Sequence, residues 1–196
     1  MPIDHEPIDR VFKMTDREVW IVTAGHPARR GGLLATWVMQ ASIDRQSPVV
    51  LVGIAPNHFT RELVDETGAF AAHLLRPDQI DLAIKFALFS GRQMDKLAGL
   101  DLSEKETGSP VIHDTLCWLD CRVFARLDAG DRVFFWADVV RGEKRDDSRP
   151  LTEWQVMSHA DDQTRAQLLA DRQSDVKQQR PKGRAWRDNL PVFLTP

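Results

Sequence analysis

Residues 117–144 read CWLDCRVFARLDAGDRVFFWADVVRGEK. Aromatic and β-branched residues crowd both sides of Asp-Ala-Gly-Asp, a reverse-turn sequence. Two strands of this length joined by so short a turn form a hairpin, and a hairpin is antiparallel. The chain must therefore build an antiparallel sheet, and every other element has to be fitted around it. The spacing predicts one long first strand through PVIHDTLCWLDCRVFARLD and its partner in RVFFWADVVRGEKR.

Further strands are read at EVWIVTAG (18–25), ended by Gly25, at VVLVGIA (49–55) and at AFAAHLL (69–75). Val49, Val50, Val52 and Ile54 stand too close together for a comfortable helix. HPARRGG reads as a loop, and the segment after it as a strand over 33–42, because only a short turn separates it from the next strand. Two helices are inserted. One begins at Asn57 as N-cap and stops at Gly68; the other opens at Pro77–Asp78 and runs to Phe89 with apolar residues at helical spacing. A charged helix with a thin stripe of Leu168, Leu169 and Val176 follows Asp161, and the tail PKGRAWRDNLPVFLTP carries Trp186, Pro191 and Phe193. Consecutive hairpin-linked strands predict a mainly β chain with inserted helices, folded as an antiparallel barrel rather than a doubly wound sheet. The domain is expected over residues 1–160, with 161–196 as a helical arm packed on the barrel or on a second subunit, since a marginal helix needs tertiary support.

Composition removes several classes. Net charge is −3, from 26 basic and 29 acidic residues without a basic stripe, so nucleic acid is not expected. No apolar run of membrane-spanning length occurs, and the acidic start MPIDHEPIDRVF lacks the apolar stretch of a secretory signal. Cys117 and Cys121 would lie roughly 13 Å apart on a strand, too far to bridge, which fits two reduced thiols in a cytoplasmic protein. The histidines at 5, 26, 58, 73, 113 and 159 show no ligand spacing, so no metal is expected. There is no nucleophile elbow and no phosphate loop, and GHPARRGG is not a Rossmann fingerprint.

Three stretches carry candidate chemistry. In GGLLATWVMQAS, Gly31 and Gly32 admit close backbone approach, and Thr36, Trp37 and Ser42 are polar or flat where a core strand would use Val or Leu. In PNHFTREL, a helix N-terminus with Asn57, His58, Thr60 and Arg61 suits an anion. In SGRQMDK, Ser90, Arg92 and Lys96 place a hydroxyl and two cations in one loop.

The order of these pieces is informative. VWIVTAG, GGLLATWVMQASIDRQSPVVLVGI, NHFTRELVDETGAFAAHLL, SGRQMDKLAG, TGSPVIHDTLCWLDCRV, DAGDRVFFWADVV and PLTEW together span roughly residues 18–155. In this order the chain resembles the flavin reductase-like family, FMN-binding split β-barrels that include flavoredoxin-like proteins. The resemblance implies a homodimer with FMN near the subunit interface and NAD(P)H as reductant. Gly31, Gly32, Ala35, Thr36 and Trp37 would line the flavin ring, with Ser42 further along. Asn57, His58, Thr60, Ser90, Gly91, Arg92 and Lys96 would hold the phosphate. No protein nucleophile is implied, because the flavin carries the chemistry. Two positions depart from the family pattern. Gly31 stands where the family keeps Asn, and Arg132 stands where it keeps His after Asp-Ala-Gly-Asp. Arg132 could act electrostatically but not as a neutral acid–base group. The resemblance also admits a flavoredoxin-like electron carrier, a reductase serving a monooxygenase, or a flavin-binding protein without turnover.

Overall fold

A computed structural model describes residues 5–190 and residue 194. Its order is α1 (Glu6–Met14), β1 (Trp20–His26), β2 (Arg29–Ala35), β3 (Val38–Gln40), β4 (Val49–Ile54), α2 (Phe59–Thr67), β5 (Ala69–Leu74), α3 (Ile80–Leu88), β6 (Leu102–Glu104), β7 (Pro110–Ile112), β8 (Cys117–Asp128), β9 (Val133–Lys144), α4 (Glu153–His159) and α5 (Asp162–Asp188). Seven strands form one antiparallel sheet in the order β2-β1-β5-β8-β9-β4-β3, and β6–β7 form a separate small ladder.

The sheet's two edge strands, β2 and β3, are consecutive in sequence, with only Thr36 and Trp37 between them. Two residues cannot cross the width of an open seven-stranded sheet. The sheet must therefore curl until its edges meet, which makes it a barrel split at Thr36–Trp37. Side chains of β1 alternate between two cores. Val22 and Ala24 pack with Val52, Ile54, Phe70 and Phe135, while Ile21, together with Val19 just before the strand, faces Leu75, Phe86, Leu97 and Leu151. That double cover is why β1 is apolar without alternation.

Several expectations are corrected. RRGG is strand, not loop; the turn is confined to Pro27–Ala28, and Gly25 takes φ +100° to enter it. The strand expected over 33–42 breaks at Thr36–Trp37 and ends at Gln40, whose Nε2 donates to Ser42 O at 2.6 Å. The long strand from Pro110 is interrupted at 113–116, where Thr115 Oγ1 donates to Ile112 O and Cys117 O. The helix after Pro56 has His58, not Asn57, at its N-cap position; its stop at Gly68 is as expected, with φ +63°. α5 continues through Pro181 to Asp188, so the first half of the expected tail is helix. Pro191 and Phe193 lie outside the described residues. α1 was not anticipated. Cys117 and Cys121 are both free thiols, and burial pushes the Cys121 thiol well up.

α5 lies against the barrel. Gly130, at φ +81° in the β8–β9 turn, has no room for a Cβ because Lys182 O would stand 2.4 Å from it. Gln179 is the residue α5 buries. No helix among the described residues is long and apolar enough to cross a membrane.

Candidate functional site

The site is a cleft along the barrel split, walled by β2, the start of α2 and the loop after α3, and roofed by α5. Its first compartment, about 290 Å³, is lined by Gly32, Asn57, His58, Thr60, Ser90, Gly91, Arg92, Lys96 and Asp175 among others. Its second, about 160 Å³, lies at the strand break against Ala35, Thr36, Trp37, Gly53, His58, Arg132 and Asp175.

α2 begins with no side-chain cap, and its leading residues Phe59 and Thr60, whose amides have no intrahelical partner, line the first compartment. Thr60 sits in that first turn and is buried. Ser90 Oγ accepts from Arg92 N at 3.2 Å, which shapes the facing loop. Arg92 donates to Asn57 O at 3.1 Å and pairs with Glu62. Glu62 also has Arg29 at 3.8 Å and Arg61 at 3.7 Å. Two guanidiniums lie over Phe59, Arg29 at 5.1 Å and Arg92 at 5.5 Å from the ring centroid.

The glycines have a packing reason. A Cβ on Gly31 would stand 3.1 Å from Phe59 Cδ1, one on Gly91 2.7 Å from the same atom, and one on Gly32 2.7 Å from Phe86 Cε1. The pair admits two aromatic rings, and those rings set the spacing between the strand and the loop. Phe59 and Phe86 are therefore structural parts of the cleft that sequence reasoning missed.

At the strand break Trp37 stacks on Phe134, with centroids 6.2 Å apart and planes 14° apart. Arg132 also lies over this indole, at 4.8 Å from its centroid. Burial pulls the Arg132 pKa down, while Asp131 and Asp175 oppose that. Its Nη1 donates to Asp131 O at 2.7 Å and to Gln179 Oε1.

Of the expected residues, Ser42 lies away from the cleft, and Lys96 borders it with its ammonium engaged elsewhere. Ser42 lies in the β3–β4 turn, where its Oγ accepts from Asp44 N at 3.1 Å. Lys96 is buried and turned inward. Its Nζ donates to Phe86 O at 3.0 Å and Phe89 O at 2.7 Å, capping the end of α3. Burial, and secondarily Lys85, lowers its pKa to about 8, so it is still charged at neutral pH. Lys96→Met should cost about 1–3 kcal/mol in denaturant unfolding, because two carbonyls lose a charged donor. An unchanged midpoint would remove this capping role.

α5 supplies what no local pattern announced. Asn57 Nδ2 donates to Asp175 Oδ1 at 3.0 Å, and His58 Nε2 lies 3.7 Å from Asp175 Oδ2. Gln179 Nε2 reaches Asn57 Oδ1 at 3.4 Å. His58, then Asn57, hold the Asp175 carboxyl below its usual range against partial burial.

A curled antiparallel sheet with an uncapped helix N-terminus and a Ser-Gly-Arg loop at its split defines a split β-barrel with an anion-adapted cleft. The chain belongs to the flavin reductase-like family: a family model described as "Flavin reductase like domain" matches residues 13–161. An uncharacterised protein of Aeropyrum pernix is 35% identical over 133 residues, 66% of this chain and 50% of that one. The reductase subunit HsaB of a flavin-dependent monooxygenase from Mycobacterium tuberculosis is 26% identical over 156 residues, 79% of this chain and 74% of that one. The nitrilotriacetate monooxygenase component B homologue from Mycobacterium thermoresistibile superposes with a TM-score of 0.65 at 24% identity, covering 75% of this chain and 80% of that one, a likeness of fold. The chain spans half the length or less of the first curated relatives it matches.

Proposed function

We propose that this protein is a flavin-dependent oxidoreductase that holds FMN in the cleft and takes electrons from NAD(P)H. The observation that carries the reading is the meeting, in one cleft, of the uncapped α2 N-terminus, the Ser90–Arg92 loop and the Thr36–Trp37 break. The donor set fits a flavin mononucleotide. The Thr60 and Ser90 hydroxyls, the Arg92 guanidinium and the first amides of α2 can all donate to phosphate oxygens. Gly32, Ala35, Thr36 and Trp37 form the wall where the ring would lie. When bound, the flavin supplies the hydride and electron chemistry. Arg132 places a permanent positive charge beside Trp37 and favours a more negative occupant of that compartment. Electrons then pass to a redox partner, a monooxygenase component being the kind named for HsaB. The working form is a homodimer, to be checked by sedimentation.

The test is spectroscopic. Purified protein is expected to retain added FMN through gel filtration, and anaerobic NADH or NADPH is expected to bleach its visible absorbance. A colourless protein that retains no FMN would end the flavin reading. Retention without bleaching by either nucleotide would replace the reductase with a carrier reduced by a protein.

A further inference from the structure

α5 carries Lys177, Arg180, Lys182, Arg184 and Arg187, with no carboxylate between Asp175 and Asp188. Elsewhere the protein pairs its charges closely, as Glu62 does with its three arginines. None of these five α5 cations makes an ion pair or a side-chain hydrogen bond among the described residues. The helix dipole favours cations in a last turn, which accounts for Arg187 but not for Arg180 or Arg184.

Arg180, Arg184 and Arg187 are spaced four and three apart, so they form one stripe on the helix. With Arg172, that stripe borders a cavity of about 720 Å³ between α5 and the barrel, within the usual range for small-molecule sites. Arg132 faces it from the barrel over the Trp37 indole, and Trp186 lines it from α5. Arg132 uses only Nη1 among the described residues, leaving Nε and Nη2 without a protein partner. Asp131, Asp171 and Asp175 also line the hollow, but Asp175 is engaged by Asn57 and His58. The balance remains positive, and the positive side is ordered in a row. A row of guanidiniums matches adjacent phosphates, and the Trp186 indole lines the hollow as a flat surface for a planar base. The hollow shares Trp37, His58, Arg132 and Asp175 with the compartment at the strand break, so it continues directly into the cleft.

We infer that this hollow binds the adenosine diphosphate moiety of a dinucleotide. The ligand class rests on the flavin reading above. Both FAD and NADPH carry that moiety, and the concave, indole-lined shape favours it over an acidic protein surface. The probe is ADP itself, titrated calorimetrically into flavin-free wild type and into an R180A/R184A variant. Both positions are exposed on the helix, and alanine preserves helicity. Wild type is expected to bind ADP saturably, the variant at least about tenfold more weakly, as befits lost charge-assisted bonds, while FMN affinity is unchanged. A matching loss for FAD identifies the cofactor's own adenylate as the occupant. A matching loss for NADPH in FMN-saturated protein identifies the reductant's. Equal ADP affinity in both proteins, or no saturable ADP binding by wild type, overturns the inference. So does a loss of FMN affinity as large as that of ADP, since the arginines would then belong to the flavin cleft. If wild type binds ADP as expected but not FMN, the flavin reading falls and this one stands.

Discussion

Lowering the pH from 7 to 4 should remove about 3 kcal/mol of stability through one side chain, His73. The imidazole is fully buried opposite Ile21. Its Nδ1 lies 3.0 Å from Ile21 O and its Nε2 accepts from Ile112 N at 3.0 Å, so the neutral Nδ1–H form satisfies both neighbours. Protonation would set a second N–H against the Ile112 amide. Burial lowers the pKa to about 4 from 6.5; the Ile21 carbonyl works against that, and His113 adds to it. The folded value is the depressed one, so the stabilisation is present above pH 6.5 and is lost as pH falls through 4. Other carboxylates titrate in the same window, so the test is a difference. Urea midpoints of wild type and His73→Leu should differ most at pH 7.5 and converge toward pH 4. Leucine also leaves Ile21 O and Ile112 N unpaired, costing about 2–5 kcal/mol at neutral pH. Parallel pH profiles for the two proteins would dismiss the account.

Thr60→Val and Arg92→Ala should each weaken FMN binding by about 10- to 100-fold, about 1–3 kcal/mol, while Asp175→Asn should strengthen it. The first two remove donors from the compartment at the α2 N-terminus. Asp175 is the opposite case, a carboxylate that borders the same compartment where an anion is expected to sit. Asparagine keeps an acceptor for Asn57 Nδ2 and discards the charge. About tenfold tighter binding fits one unit charge removed in a partly solvated cleft. Fluorescence titration of FMN decides it. Weaker binding by Asp175→Asn would mean that the carboxylate serves to orient His58 rather than to compete with the phosphate.

The sheet was legible because β-branched runs and turn residues are local signals; β4, β5 and the β8–β9 hairpin lie where those signals put them. The polar residues of GGLLATWVMQAS were legible as an anomaly, yet not as a break. Thr36 and Trp37 are where two edge strands meet, and that depends on the whole sheet's order. The reason for Gly31 and Gly32 was not readable, since Phe59 and Phe86 approach them from other elements. Lys96 read as a loop cation because sequence cannot tell an outward ammonium from one turned onto the end of a helix. Pro181 hid the last part of α5, and although Asp175 lies inside the expected helix, no local signal shows that it meets Asn57 across a separation of 118 residues.

The ladder order has a kinetic consequence. β4 finds β9 with Val49 opposite Asp138, and β5 bridges β1 and β8. Chains whose contacts are this non-local fold over milliseconds to seconds rather than microseconds. The split exists only after those late pairings close the barrel, so an unclosed chain has nothing to offer a ligand. Occupancy would therefore act on the barrel as one cooperative unit, raising protection against hydrogen exchange in strands far from the cleft by the mass-action amount set by ligand concentration and affinity.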